Sequence, residues 1–260
     1  MMRLLLAFSR FRPYHKFMEF LENIAEYYDE LYPASDELKK FYTEETKSYV
    51  APVKYLSIGS GTGSFEHYLA KEGSDVTGLE TVSPLLESAN RKRRTQLMAL
   101  RFFQMSSLEM CRFLGKSFYN IISILNSRII FTHDKTLMAK LFFDCKQLLA
   151  PNGKLILSLP NFEKFSAEPT AKLPICESIR VRLFSKIQTE PDGRKFLFQE
   201  LETGNGKRLV VTKDMPVLPL TKDKIEEYAK SAGFSKFDFY ANFKREEFTG
   251  KSDELVVVIS

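Results

Sequence analysis

Cysteine and histidine are scarce in this chain, three of each among 260 residues. Cys111, Cys145 and Cys176 lie far apart, and no CxxC or Cys/His ligand spacing occurs. A disulfide framework and a structural zinc site are thereby excluded, no metal is expected, and a reducing, cytoplasmic compartment suits the thiols. Long hydrophobic runs are missing as well. No stretch reaches the ~18–20 uncharged apolar residues that span a bilayer, so no membrane partner is expected. Acid is absent from the first 18 residues, which hold Arg3, Arg10, Arg12 and Lys16. Those four cations make up most of the net charge of +5 and leave the body nearly neutral. A nucleic-acid partner, which needs clustered cations to neutralise phosphates, is not expected.

What is present is an ordinary globular composition, with 44% hydrophobic and 27% charged residues. The length fits one large domain or two small ones. Residues 1–17 form a leader with three readings: a transit-type targeting segment, a disordered or surface-packed extension, or sequence ahead of a start at Met18. Phe20, Leu21, Ile24, Tyr27, Tyr28 and Leu31 recur at helical spacing until Pro33 breaks the run. From residue 53 strands and helices alternate. Strands are expected at 53–58, 74–79, 101–105, 119–125 and 154–159, with helices at 64–71 and 135–149. Ser83-Pro84 is expected to open another helix, with Ser83 as its cap. Pro151-Asn152-Gly153 reads as a turn before the fifth strand. This alternation predicts an α/β domain with a parallel sheet.

Near 178 the pattern changes. Residues 178–189, 195–203 and 207–215 alternate apolar and polar positions around Pro191-Asp192-Gly193 and Gly204-Asn205-Gly206, the signature of hairpins. The expected organisation is a leader (1–17), N-terminal helices with an α/β core (18–177), an inserted antiparallel lid (178–219) and the completion of the core (220–260). Thr221 is placed to cap the last helix, Gly233 to stop it, and strands at 234–240 and 255–259 to close the fold.

The sharpest local feature is Leu56-Ser57-Ile58-Gly59-Ser60-Gly61-Thr62-Gly63, between the first strand and the first helix of the alternating region. Glycines there allow a tight turn and a backbone that lies flat against a ligand. Glu80 follows Gly59 by 21 residues at the end of the second strand. An exposed carboxylate there can accept both hydroxyls of a ribose. The third glycine of a dinucleotide fingerprint belongs at 64, where Ser64 stands, so the spacing is GxGxG and not GxGxxG.

At these residues the chain resembles the class I, Rossmann-like methyltransferases that use S-adenosylmethionine (SAM), and their small-molecule branch in particular. Tyr27-Tyr28-Asp29-Glu30-Leu31-Tyr32, the Gly59–Gly63 loop, Glu80, residues 148–154, Ala232-Gly233-Phe234, Tyr240-Ala241-Asn242-Phe243 and the stretch 252–259 carry the resemblance. It implies a seven-stranded sheet of order 3-2-1-4-5-7-6 with the last strand antiparallel, and SAM as cofactor. It implies cofactor contacts from Ser57, Gly59, Ser60, Gly61, Thr62, Gly63, Glu80, Thr81, Met105, Ser106 and Asn126. Tyr28, Tyr32, Ser127 and Asn161 are implied for the substrate pocket. The family usually has acids where Ser57, Ser106 and Asn120 stand, and a neutral partner makes weaker hydrogen bonds than a charged one. Restoring the acid with Ser57→Asp is therefore expected to tighten SAM.

Methyl transfer from a sulfonium needs alignment and a deprotonated acceptor. His133, in Thr132-His133-Asp134 after the fourth strand, is the best-placed base. His67 lies within the first core helix, where packing explains it. The expected activity is methyl transfer to O or N of a small-molecule acceptor, by a monomer or homodimer. Two other classes share the fold: a SAM- or nucleotide-binding protein without turnover, and an RNA methyltransferase. Against the last, Asn126-Ser127-Arg128-Ile129 lacks the Pro-Pro-aromatic run of nucleic-acid amino methyltransferases. Arg91-Lys92-Arg93-Arg94 falls at a helix C-terminus, where cations complement the helix dipole.

Overall fold

The computed structural model describes residues 24–93, 98–165 and 169–260. The leader, the Met18 start and Arg94 lie outside them. Strands β1 (Lys54–Ile58), β2 (Asp75–Glu80), β3 (Leu100–Gln104), β4 (Tyr119–Ile124) and β5 (Leu149–Pro160) pair in parallel. β11 (Phe237–Tyr240) and β12 (Glu254–Ile259) complete a seven-stranded sheet of order β3-β2-β1-β4-β5-β12-β11. β12 runs antiparallel to both of its neighbours. This is the order and the reversed last strand expected above.

Side chains alternate across the strands and divide the core in two. Leu56, Ile58, Ile122, Leu155 and Leu157 face one side with helix α6 (Lys135–Leu148). Tyr55, Val76, Ile121 and Ile156 face the other, against Phe41 and Tyr42 of α2 (Asp36–Thr46) and Phe65 and Leu69 of α3 (Ser64–Lys71). The short α1 (Tyr28–Leu31) packs on the first side.

Two local expectations are corrected. Helix α4 (Ser83–Lys92) has Val82 as N-cap, without a side-chain cap bond. The Ser83 hydroxyl instead accepts from Gln104 Nε2 at 2.9 Å, which ties the helix start to β3. Residues 151–153 do not form a separate turn. They belong to β5 as an irregularity, with Asn152 left-handed (φ +62°) and the pairing with β4 slipping between Tyr119 and Ile121.

The second sheet begins earlier than its alternation shows. β6 (Thr170–Lys172) and β7 (Cys176–Glu177) are too short to alternate, and both pair with β8 (Val181–Thr189). β9 (Lys195–Thr203) and β10 (Arg208–Val217) complete it. The insert is not a detached flap. Val181, Leu183, Leu201 and Met215 are buried in the same apolar cluster as Leu56 and Leu157 of the main sheet. Thr221 caps the last helix, α8 (Lys222–Ser231), and Gly233 follows at φ +90°.

Candidate functional site

A cavity of about 160 Å³ opens at the carboxyl ends of β1, β2 and β3. Open α/β sheets place ligands there, because the strand order changes direction and the helices diverge. Gly59, Glu80, Thr81, Met105, Ser106 and His133 all border it, with Leu108 and Phe131 on its apolar walls. Met215 and Pro216 of β10 close one side, so the inserted sheet contributes wall as well as cover.

The loop adopts left-handed backbone at Gly59 (φ +77°), Gly61 (φ +60°) and Gly63 (φ +72°), conformations that other residues pay strain to hold. The Gly59 and Ser60 amides donate to the Leu79 carbonyl and lash the loop to β2. The faces of the three glycines meet different groups. A Cβ on Gly59 would lie 2.8 Å from Arg128 Cγ, and one on Gly61 would lie 2.2 Å from the Tyr28 ring. A Cβ on Gly63 would lie 2.2 Å from Phe102 Cζ. Gly63 thus serves packing of the loop on β3, and not the cavity. Thr62 is also turned away: it is buried and its hydroxyl donates to Asp29. These two leave the cofactor set.

Glu80 is not the exposed carboxylate expected from its place at a strand end. It is 2% exposed. Oε1 accepts from the amides of Thr81 (2.8 Å) and Val82 (3.0 Å), and Oε2 accepts from the Gly61 amide at 2.9 Å and from Arg128 Nη2 at 2.6 Å. Arg128 was missed by sequence reasoning. It lies two residues beyond Asn126, and both Asn126 (φ +53°) and Ser127 (φ +62°) are left-handed. That double bend turns Arg128 into the cavity while exposing Asn126. Asn126 and Ser127 are held through their amides by Ser158 and do not line the cavity.

Ser57 carries a second surprise. Its hydroxyl donates to Oε1 of Glu66, on the first turn of α3, at 2.5 Å. Glu66 is buried, and burial holds its pKa up at about 7. A carboxylate therefore does stand beside Ser57, supplied from the helix and not from the strand. The signal in the sequence was an acid three residues after the helix cap, which local spacing cannot distinguish from an exposed one.

Tyr28 is buried with its ring on Gly61, and burial raises its pKa. Tyr32 lies 5.0 Å from it between ring centroids, and its pKa is raised by burial too. Asn161 leaves the pocket set. Its Nδ2 donates to the Thr249 and Ser252 carbonyls and its Oδ1 accepts from Glu163, so it fastens the end of β5 to the loop before β12. Asn120 sits at the opposite end of the sheet, accepting from the Lys54 amide at 2.9 Å. His67 packs its Nδ1 3.0 Å from the Arg93 carbonyl. Arg93 pairs with Asp29 at 2.8 Å, so the basic run is partly neutralised at home.

Residues 56–153 match the family model of a methyltransferase domain. A candidate methyltransferase of Geobacillus sp. (strain WCH70) is 27% identical over 142 residues, which cover 53% of this chain and 56% of that protein. The match thus spans about half the length of that relative. The CcbJ methyltransferase of Streptomyces caelestis superposes with a TM-score of 0.74 at 18% identity, over 93% of this chain and 97% of its own. The sugar N-methyltransferase KedS8 of Streptoalloteichus sp. ATCC 53650 superposes at 0.61 with 15% identity, over 89% and 90%. Residues 56–153 thus match a methyltransferase domain, and the whole described fold is one these solved methyltransferases share.

Proposed function

We propose that the protein is a SAM-dependent methyltransferase acting on O or N of a small molecule. The observation that carries this reading is Glu80 at the end of β2, beside the Gly59–Gly61 loop and on the cavity at the strand ends. The residues present fit the cofactor: a carboxylate for a vicinal diol, and an apolar slot between Leu79, Met105 and Leu108, with Ser106 at its edge, for a purine. The face of Gly59 is the cradle on which the chain from the ribose towards the sulfonium would rest. SAM supplies an electrophilic methyl group.

The chain's own residues bind, orient and exclude water. Oε2 of Glu80 would accept a ribose hydroxyl, while the Thr81 and Val82 amides hold Oε1 in place. Glu66, with Ser57, offers negative character beneath the loop, where the cationic amino-acid end of the cofactor would lie. Tyr28 and Tyr32 pair behind the loop, with the Tyr28 ring on Gly61, and would back the acceptor side of the site. His133, exposed at the cavity rim, is the candidate base that takes the acceptor proton. The likeness in fold to a sugar N-methyltransferase supports a small polar acceptor carrying an amine or hydroxyl.

Among the described residues no helix is long and apolar enough to cross a membrane. Isothermal titration with SAM and with S-adenosylhomocysteine (SAH), followed by turnover over a panel of amino sugars and hydroxylated metabolites, tests the proposal. Binding with turnover supports it, binding without turnover supports a non-catalytic binding protein, and absence of binding removes the cofactor assignment.

A further inference from the structure

We propose that Arg128 is an internal competitor for the ribose subsite, so that ligand entry requires its ion pair with Glu80 to open. The inference rests on the reading of Glu80 as the ribose acceptor and adds a gate to it. Three observations carry it. First, both Glu80 oxygens are already saturated, three bonds coming from backbone amides that cannot leave and the fourth from the Arg128 guanidinium at 2.6 Å. The only removable donor is Arg128. Second, the pair is shut away from water, the two side chains being 7% and 1% exposed, and the Arg128 stem lies on the face that Gly59 keeps open. The guanidinium carbon also sits 5.9 Å from the Tyr28 ring centroid, so the tyrosine backs it. Arg128 is therefore packed where the loop was expected to meet a ligand.

Third, the segment carrying Arg128 joins the two halves of the site. Two left-handed residues, Asn126 and Ser127, precede a short 3-10 turn at Arg128–Phe131. That turn is anchored by the buried Ile129 and Ile130, and its Ile130 carbonyl accepts from the Leu218 amide just beyond β10 at 2.8 Å, while Met215 and Pro216 of β10 border the cavity. A shift of the insert when the acceptor side fills would pull on the turn and with it on Arg128. The gate thus couples the two halves of the site through a named backbone contact, with no long pathway required.

A buried competitor weakens every ligand that must displace it, because the free protein already satisfies the group the ligand wants. Removing it frees Glu80. Arg128→Ala should therefore tighten SAH by roughly 10- to 150-fold, the size of one hydrogen bond to a charged group. Arg128→Lys, which keeps the charge but loses the fork that reaches Glu80, should tighten it by a smaller factor. Titration of wild type and both variants with SAH at one pH and salt concentration reads this directly, with thermal melts to confirm folding. Equal or weaker binding by the variants would overturn the gate while leaving the cofactor site standing. Should Arg128→Ala fail to fold, the lysine variant and a crystal structure of the wild type with SAH decide the matter. A guanidinium withdrawn from Glu80 supports the proposal, and an intact pair beside bound SAH overturns it. If neither wild type nor variant binds SAH, the fault lies with the cofactor assignment itself, and the gate falls with it.

Discussion

A buried carboxylate needs partners, and Glu80 and Glu66 find theirs in opposite ways. Glu80 sits among three amides and a guanidinium. Glu80→Ala removes one member of a buried ion pair and leaves Arg128 uncompensated, a change that typically costs about 3–5 kcal/mol. Denaturant unfolding should show that loss together with loss of SAM binding. An exposed strand-end carboxylate, which is what the sequence suggests, would not carry that cost. Glu66 has Ser57 as its one close side-chain donor, and burial pushes its pKa from 4.5 to about 7. Its folded-state pKa is raised, so the native state holds the proton more tightly than the unfolded chain. Stability from this residue is therefore greatest below about pH 4.5, falls as pH rises towards 7, and is flat above that, for a change of about 3 kcal/mol at most. Glu66→Gln should flatten that segment of the stability–pH curve and be more stable than wild type at pH 8. Ser57→Asp now carries a different expectation as well. It would set two buried carboxylates at contact distance, so it should destabilise the protein in thermal melts and not simply tighten SAM.

At the scale of elements, the loop and the insert each serve packing as much as binding. Gly63 is left-handed, and any side chain there meets the Phe102 ring. Gly63→Ala should cost about 1–3 kcal/mol from backbone strain, before the clash is counted. Adding Phe102→Leu should recover part of the loss, since the two residues touch and their effects couple. A thermal-melt cycle over the four proteins checks this. The inserted sheet buries Val181, Leu183, Leu201 and Met215 in the main core and gives Met215 and Pro216 to the cavity. Replacing 178–215 by a Gly/Ser linker should therefore lower the melting temperature sharply and weaken SAM binding. A sheet that merely roofed the acceptor site would lose turnover alone. Strand alternation marks a sheet but does not say what its apolar face covers.

For the whole molecule, a ligand that binds only the native state stabilises all of it by mass action. SAH at 100 times its dissociation constant should add about 2.7 kcal/mol, visible as a shift of the entire unfolding transition. The strands, the glycine loop and the place of Glu80 were legible beforehand because each depends on short-range facts, whereas the sheet order followed from the resemblance. Alternation marks the strands, a left-handed turn demands glycine, and a strand-end acid is found by counting. The sheet of short strands at 170–177 was not legible, since two or three residues carry no period. Nor were the roles of Arg128 and Glu66, or the withdrawal of Thr62, Gly63, Asn126 and Asn161 from the cavity. Which way a side chain points after a strand end depends on backbone angles such as those at Asn126 and Ser127, and on what arrives from distant segments. Tyr28 reaches Gly61 across 33 residues of chain, and Arg128 reaches Glu80 across 48. Local pattern by itself marked the elements and the address of the site. Only tertiary packing decided which charges meet there, because burial and pairing are properties of neighbours that the chain brings together from afar.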